Sequence, residues 1–221
     1  MGKGPQKIWP DPEPDTFSLE RSLRRQGYLQ IAGLDEVGRG PLAGPVLAAC
    51  VILPENCDYQ RFVDSKILPE KERTRLYHEL QQNGAIVSIG LVSETEIDRL
   101  NILQASLLAM KKAVLSSSAE PDFLLVDGKF PIPMTLPQQA LVKGESKSAS
   151  IAAASIAAKV ERDRLMDEYH RRYPVYNFQQ NKGYPTAEHR KAIQIHGPCA
   201  IHRQSFKCVR EFIADPEEKM G

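Results

Sequence analysis

At 221 residues, 42% hydrophobic and 26% charged, with a formal net charge of +1, the chain is long enough for one domain with a sizeable core and has the composition of an ordinary globular protein. That composition excludes a disordered or low-complexity chain, and no apolar run approaches the ~20 residues a bilayer span needs, so no membrane partner is expected. The first residues lack the apolar stretch of a signal peptide, which leads to the expectation of a cytoplasmic protein.

Residues 1–26 carry Pro5, Pro10, Pro12 and Pro14 with little periodicity and read as a flexible N-terminal arm that ends in a short basic helix over 19–26. Order is expected from Tyr28. Residues 29–34 predict a strand, and 42–53, rich in small and β-branched residues, a second, with glycines and prolines turning the chain between them. Pro69 and Gly84 bracket a helix containing Leu76 and Leu80. Residues 85–91 predict a third strand. Ser93 with Glu96 spells a capping box, after which Ile97, Leu100, Leu103, Leu107 and Leu108 continue one helical stripe towards Leu115.

Residues 123–126 are four apolar residues in a row, the pattern of a strand covered on both faces, and they stop at Asp127-Gly128. A fifth strand is predicted over 136–142. The alanine-rich stretch 146–172, unbroken by Gly or Pro, is the strongest helix in the sequence. Thr186 and Gly197 bracket another, and 213–221 form an acidic tail. Strands followed by helices, without a repeat, give an α/β or α+β layered domain with a helical C-terminal portion.

Cys50, Cys57, Cys199 and Cys208 contain no C-x-x-C pair, and Cys199, His202 and Cys208 match no common metal spacing, so neither a disulfide framework nor a zinc site is indicated. Charge is uneven: residues 141–210 hold 13 Lys and Arg against 6 Asp and Glu. Such a half suits a polyanion, although scattered solvated lysines give the same count.

Asp35 and Asp127 each end an apolar strand. If those strands are central and parallel, their carboxyl ends meet where open α/β sheets place their sites. Two aspartates plus Glu36 in one spot repel one another, and a divalent cation with a preference for hard oxygen, magnesium or manganese, resolves the conflict. Strand-end capping is the other reading of such aspartates. Because side chains alternate along a strand, Asp35 and Glu36 share a site only if the strand distorts or Glu36 offers its carbonyl.

The segment GRGPLAG at 38–44 is one residue out of step with a dinucleotide fingerprint and carries two prolines, so it reads as a tight loop whose amides approach a sugar or phosphate, or as a plain turn. Ser155, Lys159 and Asp163 share one face of the long helix. Lys159 suits a phosphate and Asp163 the cation site, or the two form a simple surface pair.

Taken in order, GLDEVGRGPLAGPV (33–46), DSK (64–66), LNIL (100–103), LLVDG (124–128), SIAAASIAAKVERD (150–163), KGYPT (182–186) and HRQSF (202–206) resemble the ribonuclease HII (type 2 ribonuclease H) family over about 29–210. The resemblance implies an RNase H-like fold, a mixed five-stranded sheet flanked by helices, with 27–212 as the catalytic domain. It implies an endonuclease that hydrolyses RNA paired to DNA and cuts at single ribonucleotides in duplex DNA, with Mg2+ or Mn2+ as cofactor, acting as a monomer.

Carried onto this sequence, the resemblance makes Asp35, Glu36, Asp127 and Asp163 the acidic catalytic set, with Asp35, Glu36 and Asp127 as metal ligands. Gly38, Arg39 and Gly40 correspond to the loop that contacts the 2′-hydroxyl, Tyr184 to the tyrosine against the adjoining deoxyribose, and Ser65, Lys66 and Lys159 to phosphate contacts. The chain departs from the family at Glu145, where many relatives have Asp, and at Gln204, where a second basic residue is frequent. The sister family, ribonuclease HIII, usually carries a folded N-terminal domain and another residue between the loop glycines, so Arg39 and the proline-rich arm favour HII. A non-catalytic hybrid binder gains nothing from clustered negative charge beside a polyanion.

Overall fold

The computed structural model describes residues 15–63 and 65–213. The expected arm over 1–14, Asp64 and the acidic tail beyond Ile213 lie outside the described residues. Those described form helices α1 (Ser18–Arg25), α2 (Glu70–Gln82), α3 (Glu94–Leu100), α4 (Ile102–Leu115), α5 (Ala149–Arg172), α6 (Phe178–Asn181), α7 (Ala187–His196) and α8 (Lys207–Arg210). The strands are β1 (Ile31–Val37), β2 (Val46–Ile52), β3 (Ile86–Val92), β4 (Phe123–Asp127) and β5 (Gln138–Leu141). No helix among them is long and apolar enough to cross a membrane.

The five strands form one mixed sheet in the order β3-β2-β1-β4-β5, antiparallel across β3-β2-β1 and parallel across β1-β4-β5. This is the expected RNase H-like arrangement. Every residue of β2 is buried, because its alternating side chains serve two layers. Leu47, Ala49 and Val51 pack with α2 and α5 on one face. Val46, Ala48, Cys50 and Ile52 pack with α3 and α4 on the other.

Helix α5 lies directly on the sheet because its contact face is alanine. Ser148 caps it by accepting from the Ile151 amide at 3.2 Å. Its approach to β1 is so close that a Cβ on Gly33 would stand 2.1 Å from the Ser150 carbonyl carbon, which explains a glycine inside a buried strand.

Three expectations are corrected. Order begins well before Tyr28: Phe17 is buried and stacks on Tyr59 with ring centroids 5.1 Å apart, and Glu20 accepts from Ser148 Oγ at 2.6 Å and the Ser150 amide at 3.0 Å. The basic helix is therefore docked, with an apolar anchor and a carboxylate placed at the positive end of α5. The stripe from Ile97 to Leu115 is two helices. Asn101 takes a left-handed φ of 74° and its side chain caps α4 through the Leu103 and Gln104 amides, although the capping box at Ser93 is present as expected.

The second strand starts at Val46 instead of Leu42, because residues 42–44 pair with the C-terminal segments. The Leu42 amide donates to the Gly183 carbonyl (2.7 Å), the Gly44 amide to Ile201 (2.9 Å) and the Arg203 amide back to Leu42 (2.9 Å).

Gly33→Ala forces α5 off β1 by an over-packing of two backbones, and is expected to lower stability by about 1–3 kcal/mol. Urea unfolding reads this directly. An unchanged midpoint would show that α5 slides freely on the sheet.

Candidate active site

Strands β1 and β4 are parallel neighbours at the centre of the sheet, so their carboxyl ends deliver Asp35 and Asp127 to one place. One carboxylate oxygen from each of Asp35, Glu36 and Asp127 falls within 4.8 Å of the others. The register of β1 with β2 runs unbroken through Glu36 and Val37, whereas its pairing with β4 ends at Leu34 opposite Val126. Glu36 thus joins the cluster without a bulge, past the point where β4 stops covering that edge.

Local hydrogen bonds fix the three side chains. Asp35 accepts from the Glu36 amide at 2.7 Å, and Asp127 from the Gly144 amide at 2.7 Å. Glu36 meets Arg39 at 3.2 Å. Burial, and then the charges of Glu36 and Asp127, push the Asp35 carboxyl well above the usual range, with a hydrogen bond to Ser155 opposing them. Burial also raises Glu36; Arg39 opposes that shift and Asp127 adds to it.

Half-buried carboxylates, hard oxygen donors and one exposed arginine as local counter-charge make a set that fits a divalent ion of the magnesium or manganese type. Asp35, Glu36 and Asp127 are the residues that would hold it.

The remaining expected residues flank this cluster. Ser65 Oγ and Ser155 Oγ are 2.8 Å apart and buried, so the 65–66 turn is tied through Ser155 to Asp35. Lys66 is exposed beside it. Asp163 is outside the three-carboxylate group: it pairs with Lys159 at 2.8 Å and with Arg73 at 3.8 Å. The i,i+4 pair is therefore real, but with Asp163 buried and Lys159 half-buried it is not a solvated surface pair. Glu145, the middle residue of the 3₁₀ turn Gly144–Ser146, is also outside the group.

Gly38 has φ 94°, and a Cβ there would lie 2.3 Å from Arg162 Nε, so both conformation and space require glycine. Gly40 is exposed, with the Tyr184 ring 3.6 Å from where its Cβ would be, which brings the loop and the tyrosine together as neighbours.

Three arginines escaped the sequence reading. Arg73 donates to the Ser65 carbonyl at 3.1 Å and to that of Leu68, bracing the 65–66 turn. Arg162 and Arg203 are both 0% exposed beneath the glycine loop. Burial, and then the neighbouring Arg162 charge, bring Arg203 down to about 9, still cationic at neutral pH. Arg162 and Arg203 stand in the stretches AKVERD and HRQSF, the signal that was available, and main-chain carbonyls are what they bind.

Residues 32–209 match the family described as Ribonuclease HII. The ribonuclease HII of Desulfotalea psychrophila is 59% identical over 210 residues, covering 94% of this chain and 93% of its own. Among solved structures, the ribonuclease H2 from Pyrococcus horikoshii OT3 superposes with a TM-score of 0.70 at 24% identity, over 83% of this chain and 97% of that one. Bst-RNase HIII in complex with Mn2+ gives 0.67 at 19% identity, over 86% and 71%.

A carboxyl raised on folding adds stability only while it is protonated, so the metal-free protein loses stability as pH climbs from the ordinary carboxylate range through the raised value. Asp35→Asn is accordingly expected to raise the thermal midpoint of metal-free protein at pH 7 by roughly 2–4 °C, what ~1 kcal/mol gives in a domain of this length. The gain should shrink at pH 4. A lower midpoint at pH 7 would contradict the repulsion inferred at the cluster.

Proposed function

The chain belongs to the ribonuclease HII family and is a ribonuclease H endonuclease, and on that premise we propose that it hydrolyses the RNA strand of RNA/DNA hybrids and cuts duplex DNA at single embedded ribonucleotides. The observation that carries this reading is the convergence of Asp35, Glu36 and Asp127 within 4.8 Å, beside a glycine loop and an exposed tyrosine. The products are a 3′-hydroxyl and a 5′-phosphate, and the task served is removal of ribonucleotides and primer RNA during replication and repair. The enzyme works as a cytoplasmic monomer.

Asp35, Glu36 and Asp127 hold the divalent ions in this reading, and Asp163 completes the acidic set with Lys159 and Arg73 fixing its carboxylate. Bound there, such ions, Mg2+ or Mn2+, would activate the attacking water and offset charge on the departing 3′-oxygen. The structural neighbour with Mn2+ supports that choice. The chain's own groups do the rest.

Among the described residues, the amides of Gly38, Arg39 and Gly40 donate to no protein group. They are free to meet a ribose 2′-hydroxyl across the wide, shallow minor groove of an A-like duplex, the group that separates RNA from DNA. Tyr184, 40% exposed, lies beside Gly40 where it can pack on the next sugar, a deoxyribose at the junction. Lys66 and Lys159 contact phosphates, with the buried Ser65 fixing the turn that presents Lys66, which positions the duplex without reading its sequence.

A duplex containing one ribonucleotide, incubated with Mg2+ and in parallel with Mn2+, should be cut once beside that residue; intact duplex in both would overturn the reading. Asp127→Asn should slow cleavage by ~10³-fold or more, the rate equivalent of the ~4 kcal/mol expected from a metal-centred charge, while the folded protein still binds duplex. Tyr184→Ala should harm cutting at a lone ribonucleotide several-fold more than cutting within a long hybrid. Equal losses would remove the tyrosine from that role.

A further inference from the structure

Two guanidinium groups are buried directly under the sugar-contacting loop, and their hydrogen bonds go to main-chain carbonyls. Arg203 donates to Gly44 (Nε, 2.9 Å), Arg39 (Nη1, 3.1 Å) and Gly38 (Nη2, 2.6 Å). Arg162 donates to Pro45 (Nε, 3.2 Å), Ala43 (Nη2, 3.2 Å) and Lys182 (Nη1, 3.0 Å). Burying two like charges side by side costs stability, and for packing alone an apolar residue of similar volume serves as well. Glu94 offsets part of the cost, with one carboxylate oxygen buried and without a hydrogen-bond partner among the described residues.

What the arginines add is a fixed separation. Arg203 holds both ends of the glycine turn, at Gly38 and Gly44. Arg162 spans two chain segments with one planar fork, holding Ala43 of the loop and Lys182, two residues before Tyr184. The Leu42 amide to the Gly183 carbonyl, at 2.7 Å, is a third tie across the same seam.

We propose that Arg162 and Arg203 are positioning residues that set the distance between the glycine loop and Tyr184, and thereby how strictly the enzyme requires a ribose followed by a deoxyribose. This rests on the function proposed above. A lysine retains the charge without the fork and fails to span both segments.

The test uses metal-loaded full-length protein with two substrates, a duplex carrying one ribonucleotide and a long RNA/DNA hybrid. Arg162→Gln and Arg162→Lys should each lose on the order of tenfold more kcat/KM on the single-ribonucleotide duplex than on the hybrid, as expected from a small misplacement of a contact group. The loss should fall on KM, with Mn2+ affinity unchanged. Combined with Tyr184→Ala, either change should add little further selectivity, since both remove one spacing.

Equal losses on both substrates, or full additivity with Tyr184→Ala, would overturn the proposal. Loss of fold in both Arg162 variants would also overturn it, leaving a structural role only. Failure of the wild-type protein to cut either duplex would instead sink the function on which the proposal stands, so the two failures are told apart.

Discussion

Three carboxylates that repel one another are held at the ends of two parallel strands, and much of the architecture serves to keep them there. Their repulsion shows in the upward push on Asp35 and Glu36. Each is restrained by a local bond, to the Glu36 amide, the Gly144 amide or Arg39, and among the described residues none is paired with a buried cation. A site built in this way is unfavourable when empty and favourable when charged ions fill it, so part of the folding free energy is held in reserve for metal and substrate.

Helix α5 carries the largest share of that scaffold. Its alanines allow near-contact with β1, so Ser155 reaches Asp35, Lys159 and Asp163 line the flank, and Arg162 runs beneath the glycine loop. A single rigid element therefore links the acid cluster, the Lys159–Asp163 pair and the glycine loop. Loops contribute amides and an exposed ring, and buried arginines give those loops the rigidity of the core. Binding elements that arrive already ordered lose less entropy when the duplex docks.

Much of this was legible in the residues. Apolar runs ending in Asp-Glu and Asp-Gly marked the two central strands and put their acids at one edge, and the capping signals at Ser93 and Thr186 named helix starts that the structure contains. Other features were hidden for a physical reason. Asn101 breaks a continuous apolar stripe through a backbone conformation that periodicity does not register. The docking of α1 depends on Phe17 meeting Tyr59 and Glu20 meeting Ser148, partners far away in the chain. Arginines that bind carbonyls look in a sequence like arginines that bind phosphates. The sharing of one site by Asp35 and Glu36 follows from where β4 stops, which alternation alone does not reveal.

The docked first helix bears on how the protein is handled. A boundary drawn at residue 27 from the proline pattern would delete Glu20, stripping the Ser148 hydroxyl and Ser150 amide of their acceptor and opening the first turn of α5 to solvent. Trimming at the apparent margin would then loosen the far end of the very rod on which Lys159 and its partner Asp163 are mounted. A shortened version would fail for mechanical reasons while every active-site residue was still present.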